Sequence, residues 1–273
     1  MDEYRKTNKD WWNEAAQVHA QGEAYQLKAF KEGMIKLRPL ERAEVGDVVG
    51  KKLLHLQCHF GLDTLSWARL GAQVIGIDYA EKAIAIARAL SQELHLDATF
   101  VCCDLYDLPN FLDAAGEFDI VYTSYGVLSW LPDLQPWGKI IAQYLKPGGF
   151  FYIAEGHPFM WLFDEKSPDL KIGYPYFSQA PIKDESSGTY AEKDARLEHT
   201  TNYGWNHTLS EIFSSLLSVG LTIDFFHEHA FCAWDPLPDM EKGEDGFYRF
   251  KDLRKREMIP LMFSLKATKK CSS

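Results

Sequence analysis

Five short apolar runs in this sequence each end on residues able to do chemistry. Gln57-Cys58-His59-Phe60-Gly61 follows the run Lys52–Leu56, and Asp78-Tyr79 follows Val74–Ile77. Asp104-Leu105 follows Thr99–Cys103, Ser124-Tyr125-Gly126 follows Phe118–Thr123, and Glu155-Gly156-His157 follows Phe150–Ala154. Asp78 stands 17 residues after Gly61, close to the spacing at which an acid meets a ribose. A carboxylate there can accept both hydroxyl protons at once. Asp104 can accept from an adenine amine, and the backbone N–H of Leu105 can donate to the ring. Together these acids suit an adenosine-containing ligand. The alternative is that both are turn residues, since Asp is common at strand ends.

A general base would be drawn from Glu155 and His157, with His199 and His207 behind them. Each could instead be a structural hydrogen-bonding or capping residue, and His157 precedes Pro158, which favours a loop opening there. Cys58 and His59, with Cys102 and Cys103, match no standard zinc spacing, so no metal is expected. Cys58 reads as a small apolar filler. His227 and His229 share a strand face and read as sheet-surface packing.

Alternating elements must position these residues. Residues 9–36 read as two helices and 38–50 as a connector punctuated by Pro39, Gly46 and Gly50. Helices are then expected at 63–70, 80–94, 137–145 and 209–219. They interleave with the five strands, and further strands are expected at 221–229 and 262–267. Such alternation with short connections implies a parallel sheet with helices on both faces. The near-continuous apolar strands agree with that. Ligands of such sheets sit at the carboxyl ends of the strands. Residues 157–207 break the rhythm, being rich in Pro, aromatic and charged residues. They read as an insertion or lid, with a hairpin within 188–204.

At this point the sequence resembles a known family, the class I S-adenosylmethionine-dependent methyltransferases. LLHLQCHFGLDTLSWARLGAQVIGID resembles that family's first motif running into the second-strand acid, and CCDLYDLP its adenine-contacting motif. FDIVYTSYGVLSWLPDL resembles the fourth-strand motif and LKPGGFFYIAE the turn and fifth strand. NHTLSEIFSSLLSVGLTIDFFHEH and IPLMFSLKATK resemble the late helix, the sixth strand and the antiparallel last strand. The resemblance implies a doubly wound, seven-stranded, mostly parallel α/β sheet with an antiparallel last strand. It also implies an N-terminal helical cap (1–50), a core (51–156 and 208–270) and an insertion (157–207) over the substrate site.

The first motif departs from the family. His55 stands where the family has an acid, Gln57 and His59 stand at two of its three glycine positions, and only Gly61 remains. The missing glycines argue against a dinucleotide, whose pyrophosphate requires them. S-adenosylmethionine is the expected cofactor. The resemblance implies contacts from Gln57, His59, Gly61, Asp78, Tyr79, Asp104, Leu105, Ser124 and Tyr25, with Trp12 also placed to close the site. The expected activity is methyl transfer to a small-molecule acceptor. The alternative is a methyltransferase-like protein that binds a nucleoside ligand without turnover.

Composition narrows the partners. The 273 residues carry 29 basic and 39 acidic side chains, a net charge of −10. Phosphate-backbone binding needs a basic face. The one basic tract, Arg249, Lys251, Arg254, Lys255 and Arg256, reads more simply as a solvated helix face. The start, MDEYRKTNKD, is polar, and no apolar run approaches membrane-spanning length. Five cysteines including an adjacent pair do not make a disulfide framework. These features lead us to expect a cytoplasmic protein with neither a nucleic-acid nor a membrane partner.

Overall fold

The computed structural model describes residues 1–178 and 180–271. The chain opens with α1 (Glu3–Gln21), α2 (Leu27–Lys31) and α3 (Pro39–Val45), then alternates β1 (Lys52–Leu56), α4 (Leu62–Arg69), β2 (Gln73–Asp78), α5 (Glu81–Glu93) and β3 (Ala98–Cys102). It continues through β4 (Phe118–Ser124), α6 (Leu134–Tyr144) and β5 (Leu145–Gly156) into β6 (Ile182–Glu185) and β7 (Thr201–Gly204). Last come α7 (Leu209–Leu217), β8 (Leu221–His229), β9 (Met240–Lys242), β10 (Tyr248–Phe250), α8 (Leu253–Met258) and β11 (Met262–Lys269).

Seven strands form one sheet in the order β3-β2-β1-β4-β5-β11-β8. The pairs among β1 to β5 are parallel, and β11 runs antiparallel to both β5 and β8. This is the expected doubly wound architecture with its antiparallel last strand. Strand order reverses between β1 and β4, so a crevice opens at their carboxyl ends.

Alternate residues face opposite layers. Leu54 and Leu56 join Val121, Phe151 and Ile153 under α6 and α7. Leu53 faces the other way, with Tyr122, Tyr152 and Trp67. Tyr122 and Tyr152 are directly paired across β4 and β5, and their rings stack at 6.0 Å. Such cross-strand pairs fix the register.

Three local expectations need correction. The stretch 38–50 contains a helix, α3: Pro39 occupies its first turn, and Gly46, at φ +77°, ends it. That is the ordinary placement of these two residues at a helix start and end. The hairpin in the insertion pairs β6 with β7 through residues 182–185 and 201–204, so its first strand begins before 188. Residues 240–250 carry the β9–β10 ribbon, where no strand was expected, while the helix face read in the basic tract is α8, with no buried residue.

Candidate functional site

The loop after β1 is left-handed three times in five residues. Gln57 has φ +55°, His59 +52° and Gly61 +79°. Side-chain-bearing residues adopt this region only at a cost. The chain therefore keeps the backbone course that alternate glycines would allow, while placing two large side chains on it. At Gly61 no side chain is admissible, because an added Cβ would lie 2.6 Å from the Phe100 ring.

Asp78 ends β2 and holds this loop. Its Oδ2 accepts from the His59 backbone N–H at 2.9 Å, and its Oδ1 accepts from Ala80 N–H at 2.9 Å. A carboxylate has about four lone-pair sites, so acceptor capacity remains. Burial raises the Asp78 carboxyl to about 6, against the pull of these backbone donors. The neighbouring Tyr79 hydroxyl is buried with no hydrogen-bond partner among the described residues, as is Gln57 Oε1, although Gln57 Nε2 donates to the Val127 carbonyl at 3.1 Å.

Asp104 caps the turn after β3, accepting from Tyr106 N–H at 2.9 Å. Its second oxygen takes Arg5 Nη1 at 2.9 Å. Helix α1 thus reaches across the sheet end to the acid expected to meet an adenine amine. Sequence reasoning missed Arg5, for nothing near residue 5 signals a partner 99 positions away. Leu105 follows as the first residue of the capped turn and is buried.

An aromatic cluster closes over the loop. His59 makes edge contacts with Trp12 (5.1 Å), Tyr25 (5.5 Å) and His19 (5.2 Å). His19 Nδ1 and His59 Nε2 share a hydrogen bond of 3.0 Å. Burial lowers both imidazoles, His19 to about 4, so the pair is neutral. The Tyr25 hydroxyl bonds that of Tyr190, from the insertion. The insertion is tied to α1 directly: Asn8 exchanges two 2.8 Å hydrogen bonds with the Tyr203 backbone, and Glu14 accepts from Glu198 and His199 N–H.

On the far side of the crevice, the Ser124 hydroxyl donates to Asp63 Oδ2 at 3.1 Å. Glu155 is engaged in a different way. Its carboxylate accepts from the N–H groups of Gly126, Val127, Leu128 and Gly156, at 2.6 to 3.1 Å. That clamps the loop after β4 and leaves little acceptor capacity for a substrate proton. His157 Nδ1 accepts from Phe159 N–H at 3.1 Å, and its Nε2 lies 3.1 Å from Glu228 without hydrogen-bond alignment. His207 is bonded to the Leu131 carbonyl and His199 to Glu14.

The structure thus brings Gln57, His59, Gly61, Asp78, Tyr79 and Tyr25 around one loop. Asp104 and Leu105 flank it, while Ser124 lies across the crevice. Glu41, unanticipated in the sequence, is nearly fully buried in α3, takes the Tyr125 hydroxyl as donor, and is raised to about 7 by burial.

Comparison with known proteins follows this geometry. Residues 54–153 match the family model of a methyltransferase domain. An uncharacterized methyltransferase of Synechocystis is 36% identical over 127 residues, covering 46% of this chain and 56% of the relative. A ubiquinone biosynthesis O-methyltransferase of Bordetella avium is 32% identical over 120 residues, covering 43% and 48%. The chain spans about half the length of these curated relatives. An S-adenosylmethionine-dependent methyltransferase from Mesorhizobium loti superposes with a TM-score of 0.54 at 19% identity, over 87% of this chain and 99% of that one. That likeness shows the fold.

Proposed function

We propose that this chain, whose residues 54–153 match the model of a methyltransferase domain, moves a methyl group from S-adenosylmethionine to a small-molecule acceptor. The observation that carries this reading is Asp78. It is a buried carboxylate at the β2 end that holds a left-handed loop and retains acceptor capacity beside two unpartnered buried groups, the Tyr79 hydroxyl and Gln57 Oε1. Asp78 would take the ribose hydroxyls, and Asp104 with Leu105 N–H the adenine. The backbone of Gln57–Gly61 would meet the amino-acid end, with Tyr79, Ser124, Tyr25 and Trp12 around it.

When bound, the sulfonium supplies an electrophilic methyl group and a neutral leaving group. The protein's share is then orientation of the acceptor and exclusion of water. The aromatic lid of Trp12, Tyr25, His59 and Tyr190 suits both tasks. With Glu155 committed to four backbone donors, the buried group whose proton affinity matches neutral pH is Glu41, through the Tyr125 hydroxyl. The named relatives support a small-molecule acceptor, since one of them is a ubiquinone-biosynthesis O-methyltransferase.

A second reading, nucleoside binding without turnover, is favoured by one observation: Arg5 already occupies Asp104. Calorimetric titration of S-adenosylmethionine into the protein and its Asp78→Ala variant, with NAD as control, tests cofactor identity. Micromolar binding, about −8 kcal/mol, that the variant loses is expected. Absence of binding would sink the cofactor assignment, and binding without release of labelled methyl to any screened acceptor would select the second reading.

The proposed setting is the reducing cytoplasm. All five cysteines are free thiols, and no helix among the described residues is long and apolar enough to cross a membrane.

A further inference from the structure

Tyr125, the first residue past β4, sits at the crevice with a strained backbone. Its φ of +49° is a left-handed value that a bulky residue keeps only where its surroundings over-determine it. Three contacts hold it there. Its N–H donates to the Ala154 carbonyl at 2.8 Å, its hydroxyl donates to Glu41 Oε2 at 2.5 Å, and the Arg38 guanidinium lies 5.8 Å from its ring. A tyrosine hydroxyl both donates and accepts. Among the described residues none donates to the Tyr125 oxygen, so its acceptor side is free.

Glu41 differs from the other carboxylates of this region. Glu155 is filled by four backbone N–H groups, and Glu44 takes the Tyr152 and Ser264 hydroxyls and His227 Nδ1. Glu41, 1% exposed, takes only the Arg38 backbone N–H at 2.6 Å and the Tyr125 hydroxyl among the described residues. The Arg38 guanidinium does not pair with it but donates to the Gly246 and Ala233 carbonyls. The titratable groups that face Glu41 are Tyr122 and Tyr125 from β4, Tyr152 from β5 and Asp63 from α4. Buried charges are ordinarily paired, so an unpaired carboxyl here is poised to take up a proton.

We propose that Tyr125, backed by Glu41, receives the proton of the methyl acceptor, and that the acceptor is an acidic hydroxyl, a phenol or an enol. This rests on the methyl-transfer reading above and names its acceptor class. The acceptor's O–H proton passes to the Tyr125 oxygen as the Tyr125 proton passes to Glu41 Oε2. The freed pair on the acceptor oxygen forms the bond to the methyl carbon, the carbon–sulfur bond breaks, and its electron pair stays on sulfur as a neutral thioether. Burial pushes the Tyr125 hydroxyl well above its ordinary value, so it hands on a proton rather than standing as a phenolate. A phenol ionises at about 10, like the tyrosine that would take its proton. An aliphatic alcohol, near the ~15.7 of water, is roughly five powers of ten less willing. A sulfide or a tertiary amine has no proton to give.

The test offers labelled S-adenosylmethionine with catechol, protocatechuate, benzyl alcohol or N,N-dimethylaniline to wild type, Glu41→Gln and Tyr125→Phe. Donor affinity is measured by calorimetry, and the Glu41 carboxyl is followed by NMR of carboxyl-labelled glutamate, its signal being the one that Glu41→Gln removes. Glutamine fills the capping position as glutamate does, so Glu41→Gln should keep the melting temperature and bind the donor within about twofold of wild type. Wild type should methylate the two phenols, with kcat rising to a plateau through pH about 7. Both variants should lose at least roughly a hundredfold in kcat, and Glu41→Gln should lose the pH limb, with little change in KM. The Glu41 signal should titrate near neutrality without any ligand and shift in Tyr125→Phe. Methyl transfer to dimethylaniline or benzyl alcohol but to neither phenol overturns the proposal. So does donor binding with no phenol methylated, a pH limb that survives in Glu41→Gln, or a Glu41 signal that stays fixed across neutral pH. A loss of donor affinity in Glu41→Gln equal to its loss of turnover marks a structural role and overturns it too. Failure of wild type to bind the donor sinks the methyl-transfer reading itself, and with it the proposal.

Discussion

Gly61 is where a single atom decides the loop. Its φ of +79° and the 2.6 Å approach of an added Cβ to Phe100 act together. Gly61→Ala is expected to lower unfolding free energy in urea by about 2–4 kcal/mol. Phe100→Leu in the same chain should restore part of it, because the ring supplies the clash but not the dihedral. Asp78 gives a pH signature. Its carboxyl titrates at about 6 in the fold and near ~4 when unfolded. Between those values the folded state holds more protons at Asp78, so this group's contribution to stability is greatest below pH ~4 and falls as pH rises to about 6, then levels. Asp78→Asn should flatten that slope in urea midpoints. Under the proposed function, cofactor affinity should run the opposite way, rising over the same interval as the carboxylate proposed to take the ribose ionises. The acids at the strand ends were legible because strand, turn and acid are neighbours in sequence. Arg5 and Glu41 were not, since what brings them to the sheet end is a docking of helices from which no local spacing follows.

At the scale of elements, α1 is held less by its own propensity than by its partners. Asp2 caps it through Arg5 N–H, and Asn8, Trp11, Ala15, Ala16 and His19 form its buried stripe. Asn8 satisfies both backbone groups of Tyr203. Asn8→Ala strands them, which costs about 2–3 kcal/mol. Hydrogen exchange should then accelerate in residues 3–21 and 201–204 while β1 and β4 keep their protection; uniform acceleration through the sheet would contradict this. The helix α3 was overlooked although Pro39 and Gly46 are its proper start and end signals. Its seven residues offer too short a stretch of periodicity to outweigh punctuation on both sides. The β9–β10 ribbon has three residues per strand, below the length at which alternation can be read.

For the whole molecule, charge is disposed against polyanions. The basic tract near the end of the sheet is neutralised within the fold. Arg249 pairs with Asp245, Lys251 and Lys255 approach Asp239, and Arg256 pairs with Glu241. With a net charge of −10, the protein should pass through heparin at physiological salt and show no salt-dependent affinity for duplex DNA. Retention that falls with added salt would contradict this. The parallel sheet with helices on both faces was legible from the alternation of strands and helices, and its antiparallel last strand from the family resemblance. The coupling of α1 to the insertion was not, since pairings across nearly two hundred residues leave no trace in local sequence.

The position of β11 has a consequence for how the chain comes together. It lies between β5 and β8, and both precede it in sequence. Until it is synthesised, β5 and β8 each present a row of unpaired amides and an apolar face, the condition under which strands recruit foreign partners. The sheet is therefore completed by insertion into a gap rather than by growth at an edge. A nascent chain halted before residue 262 is expected to bind chaperones, with residues 54–153 already made and the flank of the sheet still open.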